Sequence, residues 1–483
     1  MSYLGIDLGT SGLRALLVSE EGRPIGATER HYGLSHPEPG WSEQNPADWI
    51  SALEGAIAEM SGRFPEFAEL SGIGVAGHMH GATLLDAQGD VLRPCILWND
   101  TRAHEEAARL DAKADVRRLS GNIVFPGFTA PKLEWVRAHE PEIHSAVARV
   151  LLPAAYLNYY LTGIFVSDMS DSSGTSWLDV GARDWSGELL QAGNMKHDQM
   201  PGLVEGCEVA GELRGSLLRA WGLKGPVVVA GGAGDNAAAA CGIGALQEGQ
   251  GFVSLGTSGV LLTARDGYTP APETAVHTFC HAVPDRWYQM GVMLSATDSL
   301  NWLAGITSQA PSDMTRALGD LLQEPGKVRF LPYLSGERTP HNDAGIRGSF
   351  TGLSASTARE DLTRAVVEGV AFALRDSFDA LEATGAEFER LFAIGGGSAS
   401  DYWVQAIATL FGVPLQKPVS GEFGAALGAA RLGMIAATGI PPELAIQPAE
   451  TSAEIEPVAD LQNAFQDAHQ RFRHAYLAIR DSQ

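Results

Sequence analysis

Two short apolar runs, joined by a small polar turn, occur at the start of the chain and again near its middle. The five residues Leu-Gly-Thr-Ser-Gly stand at 8–12 and again at 255–259. Apolar, strand-like runs flank both copies, at 3–8 and 13–18 and at 251–255 and 260–263. Two strands joined by a Gly/Thr/Ser turn predict a β-hairpin. Because the flanks match as well as the turn, the pattern indicates a duplication in which the same hairpin opens both halves.

The first half continues with alternating strand and helix patterns. Asn45 and Pro46 suit the N-cap and the first turn of a helix that we predict to run to about Met60. Three further strands and a helix are predicted, at 72–76, 83–85, 227–230 and 236–241. The region from about 100 to 225 has a mostly helical pattern and carries insertions.

The second half repeats a strand, glycine turn and helix arrangement. Its predicted helices and strands lie at 361–382, 391–394, 402–411, 414–416 and 425–434. The stretch from about Pro441 is predicted to pack on the surface and to end in a helix. Such recurring units favour a mixed α/β fold with helices on the faces of its sheets.

The composition is that of a globular protein with two large domains. The chain has 483 residues, of which 45% are hydrophobic and 19% are charged. We find no apolar run of membrane-spanning length and no secretion-signal pattern at the start, so we expect a cytoplasmic protein. The four cysteines are scattered, without a CxxC pair, and we predict structural thiols at Cys95, Cys207, Cys241 and Cys280.

The net charge of −24 argues against nucleic acids and anionic membranes as partners. A phosphate-bearing ligand would also be repelled by such a surface. Its site must therefore be built locally from backbone N–H groups, helix N-termini and a divalent metal.

Asp7 ends an apolar strand just before the first glycine turn. Burying a carboxylate there is costly unless it holds a cation or accepts hydrogen bonds. It either caps the hairpin or orients the water of a bound Mg²⁺ while the turn amides approach phosphate. The second hairpin has Ser254 at this position. One carboxylate and two phosphate-binding turns suit a nucleotide held between two lobes, and this favours the metal hypothesis.

Asp235 follows a strand and the turn Gly231-Gly232-Ala233-Gly234, and a helix begins after it. It is either an ordinary helix cap or a general base for a substrate hydroxyl that attacks a phosphate. Glycines let a ligand approach closely, and their density exceeds what a cap requires. We therefore predict that Asp235 is the base.

Two further segments are candidates for ligand contacts. The turn Gly395-Gly396-Gly397 matches neither a Rossmann nor a Walker A motif, but its bare backbone could lie against a ring or a phosphate. His78 and His80 would face the same side of a strand, so either a metal pair or hydrogen bonds to a sugar are conceivable. Trp98 and Asp100 suit sugar hydroxyls or an ordinary loop anchor.

These residues, in this order, resemble the FGGY family of carbohydrate kinases. The resemblance runs over nearly the whole chain. Besides the two hairpin turns and the glycine turns around Asp235 and Gly396, it includes the segments 39–46, 77–81, 96–100, 336–343 and 348–368.

The resemblance implies an α/β fold with two ribonuclease H-like, actin/hexokinase-type domains around a central cleft. The predicted domains are 1–243 for sugar and catalytic base, 244–440 for nucleotide, and a helical tail at 441–483. It also implies ATP and Mg²⁺ as cofactors, a small sugar as substrate and a homodimer as a further expectation.

The resemblance assigns roles to single residues. Asp235 would be the base, and Asp7 would support Mg²⁺ through water. The predicted sugar contacts are Met79, His80, Asn236, Trp98 and Asp100. The predicted nucleotide contacts are Thr10, Ser11, Gly256, Thr257, Gly396, Gly397 and Ser400.

The Met-His-Gly triplet at 79–81 resembles the members that phosphorylate D-xylulose to D-xylulose 5-phosphate. His78 departs from the glutamine that these members usually have, so a kinase for another ketose, pentitol or polyol is the alternative. A nucleotide-binding switch protein without catalysis is a further one. The loop around Arg338 is expected to be structural or to bridge the lobes.

Overall fold

A computed structural model describes residues 1–113, 115–419 and 424–482. The first part of the chain opens with the predicted hairpin and the helix capped by Asn45. Its elements are β1 (Ser2–Leu8), β2 (Gly12–Ser19), β3 (Pro24–His31), β4 (Glu43–Gln44), α1 (Pro46–Arg63), β5 (Leu70–Gly77), β6 (Thr83–Leu85) and β7 (Cys95–Ile96).

A largely helical region follows and leads to the glycine turn before Asp235. Its elements are α2 (His104–Asp111), α3 (Val116–Ser120), α4 (Thr129–His139), α5 (Pro141–Ala146), β8 (Arg149–Leu151), α6 (Pro153–Thr162), β9 (Val166–Asp168), α7 (Met169–Ser172), β10 (Leu178–Asp179), β11 (Asp184–Trp185), α8 (Gly187–Ala192), β12 (Gly202–Val204), β13 (Val209–Glu212), α9 (Gly215–Ala220), β14 (Val228–Ala230), β15 (Ala233–Gly234) and α10 (Asp235–Ile243).

The second half opens with the second hairpin. Its elements are β16 (Gln250–Leu255), β17 (Gly259–Arg265), β18 (His277–Cys280), β19 (Trp287–Met293), α11 (Thr297–Thr307), α12 (Pro311–Arg316), β20 (Arg329–Leu331), β21 (Ser349–Thr351), α13 (Arg359–Glu382), β22 (Arg390–Ile394), α14 (Asp401–Phe411), β23 (Leu415–Pro418), α15 (Gly424–Thr438), α16 (Pro442–Ala445), β24 (Thr451–Ile455) and α17 (Gln462–Arg480).

The two large sheets have the same topology around their hairpins. In the first, β1 pairs antiparallel with β2 and parallel with β5, within the order β13-β14-β5-β1-β2-β3. In the second, β16 pairs antiparallel with β17 and parallel with β22, within the order β18-β19-β17-β16-β22-β23-β24. Both predicted hairpins are confirmed. The matching pairing agrees with the duplication indicated by the repeated turn.

The helix α15 lies against the sheet of the first lobe, although its sequence position falls in the predicted second domain. A Cβ atom built on Gly5 would lie 1.8 Å from the carbonyl oxygen of Ala426, and one on Gly74 would lie 1.9 Å from that of Ala429. Glycine on β1 and β5 therefore lets the backbone of α15 reach the sheet. The helix also packs against α10, and both helices share one buried cluster with residues of the two large sheets, so they connect the lobes.

The tail after residue 440 was predicted to be helical, and this is only partly right. Its strand β24 pairs antiparallel with β23 and extends the second sheet. The last helix, α17, buries Phe465 and Phe472 in the core of the second lobe. His469 on this helix lies 2.9 Å from a carboxylate oxygen of Asp376 on α13. The tail is thus part of the second lobe.

All four cysteines are buried and free, as predicted. Among the residues that the structure describes, none of the helices combines the length and the apolar character needed to cross a membrane.

Candidate active site

A cavity of about 230 Å³ lies between the two lobes and contains Asp235. The first lobe and α10 contribute Met79, His80, Trp98, Gly127, Phe128, Asp235 and Asn236. The second lobe contributes Ser254, Gly256, Ser258, Val260, Met290, Val292 and Arg338. The predicted base and most of the predicted sugar contacts therefore share one cavity with the second glycine turn.

Asp235 is the first residue of α10, and Gly234 precedes it as the cap. Its Oδ1 atom accepts hydrogen bonds from the backbone N and from Nδ2 of Asn236, at 2.7 and 2.9 Å. Burial, and to a smaller extent the negative charge of Asp7, raise the pKa of Asp235 to about 7 against the opposing effect of the Asn236 hydrogen bonds. A carboxylate with a pKa near neutrality suits proton acceptance from an alcohol.

A buried acidic turn supports the backbone just before Asp235, and the sequence analysis missed it. Asp168 caps α7, with its Oδ1 atom accepting from the backbone N of Ser170 at 2.8 Å and from the Ser170 hydroxyl. The Ser170 hydroxyl in turn accepts from the backbone N of Gly234 at 3.2 Å. The sequence Asp-Met-Ser-Asp at the end of a strand, with its aspartate and serine, is the pattern from which this turn could have been predicted.

Asp171, on the same short helix, is fully buried, and neither of its carboxylate oxygens has a hydrogen-bond partner among the described residues. Burial raises its pKa well above the usual range, and the charges of Asp168 and Asp235 add to the shift.

Asp7 is the last residue but one of β1 and lies opposite Arg14 in the hairpin register. The pKa of Asp7 is raised to about 6, mainly by burial, with Arg14 opposing the shift and Glu29 contributing to it. In the adjoining turn, the Thr10 hydroxyl accepts a hydrogen bond from Nε1 of Trp98 at 3.1 Å. Ser11 is exposed. The first turn thus contacts Trp98, which lines the cavity.

The second hairpin turn is fixed by the start of α11. The carbonyl oxygen of Gly256 accepts from the backbone N and the hydroxyl of Thr297, at 2.9 and 2.7 Å. The carbonyl oxygen of Thr257 accepts from the backbone N of Ala296 at 2.8 Å. Because its carbonyls are held in this way, the turn keeps one orientation toward the cavity.

A larger cavity, of about 730 Å³, lies in the second lobe on the other side of this turn. The predicted nucleotide contacts Gly396, Gly397 and Ser400 line it together with α11, α12 and α14. Thr297 also lines this cavity and binds Gly256, which lines the smaller one. The two cavities therefore meet at the second hairpin turn.

His80 and Met79 face the smaller cavity from a turn after β5. His80 has a positive φ of 71°, and its Nδ1 atom lies 2.8 Å from the carbonyl oxygen of Gly174, to which it donates. Its ring stacks on Phe128 with centroids 4.5 Å apart. Burial lowers the pKa of His80 to about 3, so the ring is neutral and Nε2 is an acceptor. A neutral acceptor suits a sugar hydroxyl.

The expectation that His78 and His80 lie on one face of a strand is wrong. The strand β5 ends at Gly77, and the chain turns, so the two rings point to different surroundings. His78 is buried against the edge of Trp49, with ring centroids 5.6 Å apart. The carbonyl oxygen of His80 accepts from Nζ of Lys132 at 2.8 Å, which holds this turn.

The prediction that Asp100 contacts the sugar needs correction. Asp100 is buried and does not line the cavity. Its Oδ2 atom accepts from Arg102 at 2.7 Å and from the backbone N of Ser42 at 2.6 Å, and its Oδ1 atom also binds Arg102. Both oxygens are thus used within the protein, and Asp100 anchors a loop. Trp98 from the same segment does line the cavity.

Comparison with protein families matches both halves of the chain. The N-terminal domain of the FGGY family of carbohydrate kinases matches residues 2–242, and the C-terminal domain of that family matches residues 251–437. The chain belongs to the FGGY family of carbohydrate kinases. The predicted family membership and the predicted class of phosphotransferase enzyme are thereby confirmed.

Several FGGY relatives cover almost the full chain. A protein of Escherichia coli (strain K12) named xylulose kinase is 46% identical over 485 residues, which is 99% of each chain. Xylulose kinase of Klebsiella pneumoniae is 47% identical over 436 residues, or 90% of each. The crystal structure of a xyloylose kinase from Brucella ovis has a TM-score of 0.98 and 55% identity, with 100% of each chain covered. These similarities confirm the predicted two-lobed α/β fold.

Proposed function

We propose that this protein transfers the γ-phosphoryl group of ATP to the terminal hydroxyl (O5) of D-xylulose and so forms D-xylulose 5-phosphate. The observation that carries the proposal is Asp235 at the start of α10, in a cavity between the lobes and with a pKa near neutrality. The full-length relatives that are named xylulose kinase support the choice of sugar.

Asp235 acts as general base in this proposal. It accepts the proton of the sugar hydroxyl as the oxygen attacks the γ-phosphorus in line with the leaving ADP oxygen. Asn236 orients the carboxylate through Oδ1, which leaves Oδ2 for the hydroxyl. Met79 and His80 bind the sugar from the first lobe, and Trp98 lines the same wall.

ATP binds across the second hairpin turn. Gly396, Gly397 and Ser400 line the larger cavity and would hold adenosine, while Gly256 and Thr257 would lie at the phosphates. Thr10 and Ser11 of the first turn would approach the phosphates from the opposite lobe. Closure of the lobes around both substrates excludes water and limits wasteful hydrolysis of ATP.

The carboxylates of Asp7 and Asp235 fit a divalent cation. Each is largely buried, and the charge of Asp7 raises the pKa of Asp235. A hard cation that prefers oxygen ligands would offset this repulsion. Asp7 would hold Mg²⁺ through water, and bound Mg²⁺ neutralises charge on the phosphate oxygens.

A panel of sugars with coupled detection of ADP tests the proposal. We expect D-xylulose to give the highest kcat/KM, ahead of D-ribulose, xylitol, gluconate and glycerol. Asp235→Asn should lower kcat by at least about 10²-fold, because general-base catalysis contributes roughly 10²–10⁴-fold. A higher kcat/KM for another sugar or polyol would mean that this compound, and not D-xylulose, is the substrate. ATP hydrolysis that no sugar stimulates would indicate a nucleotide-binding switch protein instead of a kinase.

We further infer a cytoplasmic enzyme, since its proposed substrates are metabolites of that compartment. A homodimer stays a prediction, which light scattering after size-exclusion chromatography tests directly.

A further inference from the structure

Arg338 places a positive charge in the smaller cavity, although it was not among the residues predicted to contact a ligand. It comes from the second lobe and lines the cavity together with Met79 and His80 of the first. It is the one lysine or arginine in the lining of that cavity among the described residues. The segment around it was expected to be structural or to bridge the lobes, and neither role explains why the side chain lines the cavity.

The backbone on both sides of Arg338 is firmly held. Oε1 of the buried Glu337 accepts from the backbone N of Leu294 at 3.1 Å and from that of Arg338 at 2.7 Å. Thr339 binds Val292 through its backbone N at 3.0 Å, and its hydroxyl donates to the carbonyl oxygen of Ala275 at 2.8 Å. These bonds fix the loop to the end of β19. The backbone that carries Arg338 is therefore fixed beside the cavity.

The guanidinium group of Arg338 has an aromatic neighbour but no acceptor. Its Cζ atom lies 4.6 Å from the ring centroid of Phe125. Throughout residues 1–113, 115–419 and 424–482, no group forms a hydrogen bond or an ion pair with its guanidinium nitrogens. A guanidinium has five N–H donors, and those of Arg338 are open to the cavity that the residue lines. A ligand with two neighbouring oxygens would supply the missing acceptors.

Aromatic contacts place Arg338 beside His80 in the cavity wall: the ring of Phe125 under the guanidinium lies 5.6 Å from that of Phe128, and Phe128 stacks on His80. The charge of Arg338 contributes to the low pKa of His80 and of His277. With the reacting hydroxyl beside Asp235 at the start of α10, the wall that carries His80 and Arg338 is left for the other end of the sugar.

We propose that Arg338 is a sugar-binding, specificity-determining residue whose guanidinium donates two hydrogen bonds to the ketose carbonyl oxygen and the adjacent O1 hydroxyl. The planar fork of arginine matches two such neighbouring oxygens. This inference rests on the proposed phosphorylation of D-xylulose. Because Arg338 belongs to the second lobe, the same contact links occupation by the sugar to closure of the lobes.

A chemical double-mutant cycle tests the contact. Arg338→Met and Arg338→Lys are compared with the wild type on D-xylulose and on 1-deoxy-D-xylulose, which lacks the O1 hydroxyl. A hydrogen bond to a charged group is lost in Arg338→Met, so kcat/KM for D-xylulose should fall roughly 10–150-fold, mainly through KM. The wild type should discriminate between the two sugars by about 10-fold or more, and Arg338→Met by less than about 2-fold. Arg338→Lys should be intermediate.

Arg63→Met is the matched control. The guanidinium of Arg63 also lies over a phenyl ring, 5.0 Å from the centroid of Phe64, but the residue is exposed and remote from the cavity. The Arg63→Met change should leave kcat/KM for both sugars unaffected. The KM for ATP should stay constant in all variants.

Equilibrium binding of D-xylulose, followed by tryptophan fluorescence, separates this inference from the proposed function. We expect the Kd to rise about 10-fold or more in Arg338→Met. If the wild type phosphorylates D-xylulose and Arg338→Met keeps its Kd and its discrimination between the sugars, the inference is overturned while the function stands. An equal loss of kcat on both sugars, or a raised KM for ATP, would also overturn it. A wild type that neither binds nor phosphorylates D-xylulose removes both proposals.

Discussion

At the scale of single residues, the site brings two carboxylates into largely buried positions, and this has a cost in stability. The pKa of Asp235 is raised from 3.8 to about 7, so the folded protein binds a proton that the unfolded chain releases. The corresponding stability is complete below about pH 4 and is lost as the pH rises toward 7. Function at neutral pH therefore requires an ion that destabilises the fold.

Asp235→Asn should accordingly stabilise the protein, and more so at high pH. The gain in the free energy of unfolding should be about 2 kcal/mol larger at pH 8 than at pH 5, since one unit of pKa shift is worth about 1.4 kcal/mol. Urea unfolding of wild type and variant at the two pH values measures this. An equal gain in the free energy of unfolding at both pH values would mean that ionisation of Asp235 does not destabilise the folded protein.

The same pKa predicts the pH dependence of activity. Only ionised Asp235 can accept the proton, so kcat/KM for D-xylulose should rise with pH below about 7 and level off above it. Initial rates at saturating ATP between pH 5.5 and 8.5 provide the profile. A flat profile across this range would contradict the assignment of Asp235 as base.

Sequence reasoning could predict those residues of the site that stand at the end of a strand, because the strand fixes where they lie. Asp7 lies near the end of β1 and Asp235 directly after β15, and both strands run parallel to β5 on its two sides, so their proximity could be expected. Asp100 and Arg338 could not be judged in this way. The partners of Asp100 and the anchors of Arg338 lie far along the chain or depend on loop geometry, and no local pattern encodes either.

At the scale of elements, the crossing of α10 and α15 governs how Asp235 is held. A Cβ atom on Gly428 of α15 would lie 1.8 Å from the carbonyl oxygen of Ala238 on α10. The two helix backbones are thus in direct contact behind the base. Any side chain at this glycine must push the helices apart.

Gly428→Ala should destabilise the protein by about 1–3 kcal/mol, as overpacking does, and should lower kcat because α10 carries Asp235. Gly62→Ala is the control: it is also helical, but its Cβ would meet no atom within 4 Å. That change should be neutral or stabilising by up to about 1 kcal/mol. Urea unfolding and steady-state kinetics of the pair decide; similar effects of both changes would contradict the close crossing.

Most helices and strands of the sheets could be predicted from periodicity and caps, within a few residues of their ends. The location of α15 could not, since its contacts with Gly5 and Gly74 join parts of the chain more than 300 residues apart. The strand β24 was missed for a related reason. Four of its five residues are exposed, so it lacks the apolar alternation that marks a half-buried strand.

At the scale of the whole molecule, the walls of the smaller cavity come from both lobes, and α10 and α15 connect these lobes. Binding of sugar and nucleotide should therefore draw the lobes together. Small-angle X-ray scattering should give a smaller radius of gyration with D-xylulose and a non-hydrolysable ATP analogue than without ligands. Asp235→Asn should still close, since it retains the binding surfaces. An unchanged radius with both ligands bound would contradict closure.

The central claim is that Asp235 takes a proton from O5 of a sugar while ATP donates its phosphoryl group to that oxygen. Proton-coupled ³¹P NMR of a reaction with D-xylulose and Mg²⁺-ATP tests it most directly. The wild type should produce a single phosphomonoester coupled to the two protons on C5, and Asp235→Asn should produce none on the same timescale. Formation of that product by Asp235→Asn at the wild-type rate would contradict the account.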